Sequence, residues 1–212
     1  RVSLIKEDDY PRSSIQLSIR GEIKDKSEFT EKFMAISSEL NLDIAFQEDN
    51  IFRRNRRLVC FDMDSTLIQT EVIDELAELA GVGEQVRAIT ESAMQGEIDF
   101  QESFKQRMLL LKGLREEVLE EVAVNLPITK GARRLIDTLK SYGFKTAILS
   151  GGFTYFGKYL QKELGIDYVY ANELEIKGGV LTGGYLGEIV DGNKKAEYLK
   201  EIARKEGIDI NQ

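Results

Sequence analysis

A short apolar run, Leu58–Phe61, ends directly in two aspartates, Asp62 and Asp64. In an extended chain, side chains two positions apart point to the same side, so both carboxylates meet at the end of a strand. Open α/β sheets bind ligands in the crevice outside the carboxyl ends of their strands. The pattern favours a site that holds a cation here, although a strand-to-turn boundary with capping side chains also fits it.

After this strand, helical and strand signals alternate, which is typical of a parallel sheet with helices on both faces. Apolar positions between 132 and 139 form a helical stripe closed by Gly143, and Lys145–Leu149 has the pattern of a buried strand. A further helix is predicted over Lys194–Glu206. Gly178–Gly192 is rich in turn residues and alternating apolar positions, which predicts a β-hairpin flap.

The residues before the Asp62 strand form a separate region. Ile15–Arg20 alternates apolar and polar side chains as a strand does, and apolar residues at 29, 33, 36 and 40 mark one face of a helix. A second strand is predicted over Leu42–Phe46, and a possible one over Val2–Ile5. The order is that of a β-α-β fragment.

Composition excludes several classes of function. The chain has no histidine, which rules out Ser-His-Asp hydrolysis, histidine phosphatase chemistry and His-ligated zinc. The single cysteine, Cys60, has no arginine six positions later to bind phosphate, and we interpret it as a small buried side chain. A net charge of -8 argues against a nucleic-acid partner. No apolar stretch approaches the ~20 residues of a membrane span, so we expect a cytoplasmic protein.

Asp62–Thr66 resembles the DxDxT first motif of haloacid dehalogenase-type phosphatases. The longer segment Asn50–Ile68, reading NIFRRNRRLVCFDMDSTLI, resembles the entry into the catalytic domain of their phosphoserine phosphatase branch. The resemblance implies an α/β phosphatase domain over residues 51–212, with a Rossmann-like parallel sheet. It also implies a small four-helix cap at about 71–125, where the sequence has a helical insertion interrupted by glycines. Residues 1–50 resemble part of an α+β ACT-like domain, and a homodimer through that region stays open.

The resemblance implies Mg²⁺-dependent hydrolysis of O-phosphoserine through an aspartyl-phosphate. In that reading Asp62 is the nucleophile, Asp64 is the general acid and then the general base, and both are metal ligands. The alternatives are a phosphotransferase or phosphatase for a related small phosphate such as phosphohomoserine, or a non-catalytic serine-binding ACT-type regulator. In each case the substrate or ligand is a small molecule.

The second and third motifs of the family match Ser150-Gly151 and Lys195. A hydroxyl and free N–H groups at a strand end suit a phosphate oxygen, but Ser-Gly-Gly is also an ordinary turn sequence. An ammonium at Lys195 would stabilise charge on Asp62 and on the phosphoryl group. The alternative is an exposed surface lysine, and Lys195 is preferred over Lys194 on the resemblance alone.

The implied cap supplies the candidates for substrate recognition. Arg107 lies on the same helical face as Phe100, Phe104 and Leu111, where a guanidinium needs an anionic partner. A substrate carboxylate would serve, as would a local glutamate or exposure to solvent. Phe100 would close over the bound amino acid.

Two further cap positions have alternative readings. Glu71 matches the family's acid for the substrate ammonium, or it is a first-turn acid favoured by the helix dipole. Met94 would line the same pocket or belong to the core.

The resemblance also calls for one more strand, ending in an acidic fourth motif, after Gly207. The sequence ends at Gln212. We therefore expect this 212-residue chain to bind Mg²⁺ poorly and to hydrolyse phosphoserine weakly or not at all.

Overall fold

The structure, a computed structural model, describes residues 2–5, 14–17, 21, 26–45 and 57–210. The chain divides into two compact units, Arg1–Arg54 and Asn55–Gln212. Within the part of the chain that the structure describes, no helix combines the length and the apolar composition of a bilayer span.

The described residues of the first unit form an antiparallel strand pair and one helix, in the order β1 (Val2–Ile5), β2 (Ser14–Leu17) and α1 (Lys26–Leu40). The strand predicted over Leu42–Phe46 is wrong for residues 42–45, which have no regular structure, and Phe46 lies outside the described residues. The reason is local: Asn41 has a φ of 50°, and the Leu42 N–H donates to the Ser37 carbonyl at 3.1 Å. These contacts fold the chain back onto the end of α1. Of the predicted strand Ile15–Arg20, residues 18–20 also lie outside the described part.

The second unit is built on a mixed four-stranded sheet in the order β3-β4-β5-β6. Its strands are β3 (Leu58–Phe61), β4 (Lys145–Phe153), β5 (Tyr168–Lys177) and β6 (Val180–Leu186). The pairs β3–β4 and β4–β5 are parallel, whereas β5–β6 is antiparallel. Because Phe61 pairs with Ile148 in a parallel register, the residues that follow β3 and the later part of β4 lie at the same edge of the sheet.

Seven helices of this unit are described. Four of them form the insertion predicted from the sequence: α2 (Val72–Leu79), α3 (Gly83–Met94), α4 (Phe100–Leu110) and α5 (Glu117–Val124). The other three are α6 (Ala132–Ser141), α7 (Thr154–Leu164) and α8 (Gly192–Lys205). Glycines at 81, 96 and 113 separate the four insertion helices, with φ values of 71°, 78° and 89° that disfavour a side chain.

Two predicted strand boundaries are wrong. The strand predicted to end at Leu149 continues to Phe153, with a bulge: Leu149 pairs with Tyr170 and Phe153 with Asn172, so three residues of β4 lie opposite one of β5. The hairpin predicted within Gly178–Gly192 contains only β6. Its other arm is the end of the long strand β5, which pairs with β4 first and with β6 afterwards.

The turn after β3 is anchored in the core of this unit. Met63, Leu67 and Ile68 are almost fully buried and pack in one cluster with residues of the insertion helices and of α6 and α7. The Ile68 N–H closes this turn by donating to the Met63 carbonyl at 3.2 Å. Asp62 lies directly before this turn and Asp64 lies within it, so both aspartates are held by a well-packed segment.

Candidate active site

One cavity of about 200 Å³ collects all eight of the predicted site residues. It is lined by Asp62, Asp64, Glu71, Ile73, Phe100, Phe104, Arg107, Ser150, Gly151, Gly152, Phe153 and Lys195. These side chains come from the end of β3, the start of α2, helix α4, the bulge of β4 and helix α8. The cavity therefore lies at the carboxyl edge of the parallel strands, where α/β sheets bind ligands.

Asp62 follows the last residue of β3, and its two carboxylate oxygens have different partners. Oδ1 accepts a hydrogen bond from the Met63 N–H at 2.8 Å, and Oδ2 accepts one from Lys195 Nζ at 2.6 Å. The side chain of Asp62 is 47% exposed and that of Lys195 is 28% exposed, so a ligand in the cavity can contact both. Lys195 is therefore partly buried and paired with Asp62, unlike the exposed surface lysine that was the alternative.

The direction of helix α8 selects Lys195 rather than its neighbour. Asp191 caps the helix by accepting a hydrogen bond from the Lys194 N–H at 2.9 Å. The Lys194 side chain instead makes ion pairs with Glu188 and, at 3.0 Å, with Glu197. Only one of the two adjacent lysines therefore reaches Asp62.

Asp64 is more buried than Asp62. Its Oδ1 accepts a hydrogen bond from the Val72 N–H at 2.9 Å, and its Oδ2 accepts one from the Ser150 hydroxyl at 3.3 Å. Burial raises the pKa of Asp64 to about 6, helped by the negative charges of Glu71 and Asp62 and opposed by the two hydrogen bonds. Near neutral pH this carboxyl can therefore both hold and release a proton.

The bulge in β4 brings the backbone into the cavity. The Gly152 N–H donates to Ser150 Oγ at 2.8 Å, which leaves the hydroxyl hydrogen for Asp64. A β-carbon at Gly152 would lie 2.4 Å from Asp64 Oδ2, and one at Gly151 would lie 3.0 Å from the Phe100 ring. Glycine at these positions lets the Asp64 side chain and the Phe100 ring lie close to the backbone of the bulge. Gly152 was not among the residues predicted for the site, although Gly151-Gly152 is visible in the sequence as two consecutive glycines.

Glu71 stands immediately before α2, but its side chain makes no capping hydrogen bond. Its Oε1 accepts a hydrogen bond from the Ser65 hydroxyl at 2.6 Å. Ser65 has a φ of 53°, an unfavourable conformation for a residue with a side chain. The contact holds the Glu71 carboxylate at the cavity wall.

Arg107 is partly buried on α4 and donates through Nε to the Ser103 carbonyl at 3.3 Å. Among the described residues, no carboxylate lies within ion-pair distance of its guanidinium. Burial lowers the pKa of Arg107, and the negative charges of Asp74, Glu71 and Asp64 oppose that shift. A partly buried guanidinium that has no direct ion-pair partner among the described residues is suited to bind an anionic group of a ligand.

Phe100 lies one helical turn before Phe104, with the two rings stacked at 6.3 Å between centroids. Its ring contacts the bulge at Gly151, so α4 covers one side of the cavity. Ile73 and Phe153 add apolar walls that the sequence analysis did not identify, because buried apolar side chains carry no separate signal of a site. Both roles considered for Met94 are wrong: it is the last residue of α3 and is 83% exposed.

The donors present fit a hard divalent cation such as Mg²⁺. Asp62 and Asp64 line the same cavity, and Mg²⁺ in proteins is commonly held by one or two carboxylates together with water and substrate phosphate oxygens. Among residues described by the structure, no group of three or more acidic, cysteine or histidine side chains gathers to hold a metal. The groups that would hold the ion are the Asp62 carboxylate and the Asp64 backbone carbonyl, with water filling most of the remaining coordination positions.

Comparison with known proteins shows which families and structures the chain resembles. Residues 59–212 match the family described as haloacid dehalogenase-like hydrolase. The chain is 49% identical to a phosphoserine phosphatase of Archaeoglobus fulgidus over 87% of this chain and 54% of the relative. It is 48% identical to one of Streptococcus thermophilus over 73% of this chain and 72% of the relative.

Among solved structures, it resembles a phospho-aspartyl intermediate analogue of phosphoserine phosphatase, with 43% identity and a TM-score of 0.68, over 73% of this chain and 74% of the other. The chain spans about half the length of the first curated relatives it matches, between 49% and 59%.

Proposed function

The chain belongs to the haloacid dehalogenase-like hydrolases, and we propose that it hydrolyses O-phospho-L-serine to L-serine and phosphate, the last step of serine biosynthesis. The observation that carries the proposal is one cavity in which Asp62 contacts Lys195 beside Asp64, whose pKa is about 6. Relatives named phosphoserine phosphatase, 45% to 49% identical to this chain, support the choice of substrate.

In the first half of the reaction, a carboxylate oxygen of Asp62 attacks the phosphorus, and the bond from phosphorus to the serine oxygen breaks. Protonated Asp64 gives its proton to that oxygen, so serine leaves as the alcohol. Lys195, 2.6 Å from Asp62, neutralises charge as the anionic nucleophile and the anionic phosphate approach each other. The product is an aspartyl-phosphate on Asp62.

In the second half, ionised Asp64 takes a proton from water, and the water oxygen attacks the phosphorus of the aspartyl-phosphate. The phosphorus–oxygen bond to Asp62 breaks, phosphate leaves, and both carboxyls return to their starting states. A pKa of about 6 suits Asp64 to both proton transfers near neutral pH. The Ser150 hydroxyl, the backbone of the bulge at Gly151 and Lys195, which all line the cavity, would contact the phosphoryl oxygens.

Asp62 and Asp64 would hold Mg²⁺. The ion supplies Lewis-acid stabilisation of charge on the phosphoryl oxygens when it is bound.

The cap helices supply recognition of the amino-acid part of the substrate. Arg107 would bind the carboxylate, because its guanidinium faces the cavity without an ion-pair partner among the described residues. Glu71, held by Ser65, would bind the ammonium group. Phe100 would cover the bound serine from the side of α4.

A further part of the proposal concerns the first unit, as part of an ACT-like domain that binds serine or pairs with a second copy. Its support is the α+β content of β1, β2 and α1. Titration of L-serine into the chain carrying Arg107→Ala would test it, because binding that survives the loss of the active-site cation would come from another site. The cytoplasmic location expected from the sequence stays a prediction.

Phosphate release from O-phosphoserine, measured with and without Mg²⁺, tests the main proposal. The proposal requires release that depends on Mg²⁺ and exceeds release from phosphohomoserine, whatever its rate. Rapid release would show that the weak activity expected from the sequence is wrong. Adding alcohol acceptors separates hydrolysis from phosphoryl transfer, since a transferase would show new phosphate esters at the expense of free phosphate. Hydrolysis of phosphohomoserine in preference to phosphoserine would contradict the assigned substrate.

A further inference from the structure

Asn172 is a buried polar residue in the middle of strand β5. The residue is 2% exposed, and its backbone pairs with Phe153, the first β4 residue after the bulge. A buried amide must find hydrogen-bond partners, and Asn172 finds three, none of them in its own strand. It does not line the cavity, so any effect on the site must act through other residues.

The amide nitrogen holds the bulge. Asn172 Nδ2 donates to the Gly151 carbonyl at 2.8 Å and to the Gly152 carbonyl at 3.3 Å. The peptide between these glycines is trans, so its N–H points opposite to the held carbonyl. That N–H donates to Ser150 Oγ at 2.8 Å, and the Ser150 hydroxyl donates to Asp64 Oδ2 at 3.3 Å. A continuous chain of hydrogen bonds thus runs from Asn172 to Asp64.

The amide oxygen holds a second segment. Asn172 Oδ1 accepts a hydrogen bond at 2.8 Å from the N–H of Val190, which directly precedes the cap residue of α8. Helix α8 carries Lys195, and Lys195 contacts Asp62. One side chain is therefore bonded both to the bulge and to the segment that leads into α8.

We propose that Asn172 is a positioning residue for phosphate: it fixes the spacing between the Ser150–Gly152 bulge and Lys195, which approach the phosphoryl group from two directions. This inference rests on the proposed function, which places phosphate between them. The amide is required because only a side chain with both a donor and an acceptor can hold two carbonyls and an N–H at once. Glu71 and Arg107, which would bind the ammonium and carboxylate of serine, make no direct hydrogen bond to Asn172, to the bulge or to Val190. Serine binding should therefore depend on Asn172 much less than phosphate binding does.

The test uses calorimetric titration of the whole chain, in the presence of Mg²⁺, with inorganic phosphate and separately with L-serine. Asn172→Asp keeps the size of the side chain but loses the donors and places a carboxylate oxygen against two carbonyls. Asn172→Ser is too short to reach both segments, and it serves if Asn172→Asp does not fold. The matched control is Asn125→Asp, since Asn125 also donates to a backbone carbonyl, Glu121 O at 2.8 Å, but lies on the surface at the end of α5.

We expect phosphate to bind at least about tenfold more weakly to both Asn172 variants, the size of effect that loss of one or two buried hydrogen bonds produces. L-serine should bind within about twofold of the unaltered chain, and Asn125→Asp should change neither affinity. Equal weakening of both ligands would show general loosening and would overturn the positioning role, as would unchanged phosphate binding. Failure of the unaltered chain to bind phosphate would instead contradict the proposed function, and this inference with it.

Discussion

Lys195 Nζ lies 2.6 Å from Asp62 Oδ2, although 133 positions separate the two residues in the chain. The contact joins the end of the first strand of the sheet to the last helix. In the proposed mechanism, in which Asp62 is the nucleophile, the contact also places a cation beside the attacking carboxylate, where it offsets the repulsion between two anions that approach each other.

Replacing Lys195 by methionine should lower kcat for phosphoserine by about 10² to 10³, the usual effect of removing one charge-stabilising donor. The matched control is Lys194→Met, because Lys194 lies on the same helix but pairs with Glu188 and Glu197. Steady-state phosphate release from both variants checks the assignment. Similar losses of kcat in the two variants would mean that Lys195 contributes only to the overall positive charge of α8, and not through its contact with Asp62.

Asp62→Asn should remove both turnover and any phosphoenzyme trapped by acid quench and detected by mass spectrometry, because an amide is not a competent nucleophile. Asp64→Asn should slow turnover by about 10² to 10⁴, the range expected for loss of a positioned acid or base. It should still form phosphoenzyme from a substrate with a good leaving group. A phosphoenzyme trapped in the Asp62→Asn variant would assign the nucleophile to another residue.

The raised pKa of Asp64 predicts a pH-dependent cost to stability. Its usual value of 3.8 applies to the unfolded chain, and its value in the folded protein is about 6, so between these pH values the folded state binds more protons. Stability should therefore fall as pH rises from about 4 to about 6 and level off above that.

Asp64→Asn removes this effect. The variant should unfold at a higher temperature than the unaltered chain at pH 7.5 and at nearly the same temperature at pH 4.5. Thermal unfolding with a metal chelator present provides the measurement, and the exposed Asp137→Asn serves as control. A difference that does not change with pH would argue against a burial cost at Asp64.

Arg107→Ala should weaken binding of phosphoserine by about 10- to 150-fold, corresponding to the ~1.5 to 3 kcal/mol of a charge-assisted pair. Phosphoethanolamine, which lacks the carboxylate, should lose much less. Inhibition constants for the two ligands provide the comparison. Arg87→Ala is the control, because Arg87 lies on α3 and pairs with Glu78 at the surface. Equal losses for the two ligands would make Arg107 a structural residue.

Gly152→Ala should reduce turnover by about 10²-fold, because the new β-carbon would lie 2.4 Å from Asp64 Oδ2 and must displace it. Gly192→Ala places a methyl group in open space and should have little effect. Circular dichroism of both variants shows whether the fold survives, and kcat then reports the displacement. Normal activity of Gly152→Ala would mean that Asp64 can move without loss.

The sequence allowed prediction of the elements whose signals are local. The run Leu58–Phe61 followed by two aspartates predicted a strand end, and both aspartates line a cavity there. The glycines at 81, 96 and 113 predicted the separation of four helices that the structure contains. These features depend on side-chain alternation and on backbone angles, which neighbouring residues largely decide. The extension of β4 past Leu149 was not predictable in this way, because the bulge forms against Tyr170 and Asn172 of another strand.

The tertiary structure decides three further features. They are which of Lys194 and Lys195 contacts Asp62, the raised pKa of Asp64, and the hydrogen bonds of Asn172. Two adjacent lysines have the same local signal, and only the direction of α8 against β3 decides which one meets Asp62. Likewise, a carboxyl acquires a pKa of about 6 only when the fold removes water from it. The sequence by itself determined which chemical groups are present and the local elements that carry them. Their distances and protonation were decided by long-range packing, since burial and contact between distant segments exist only in the folded chain.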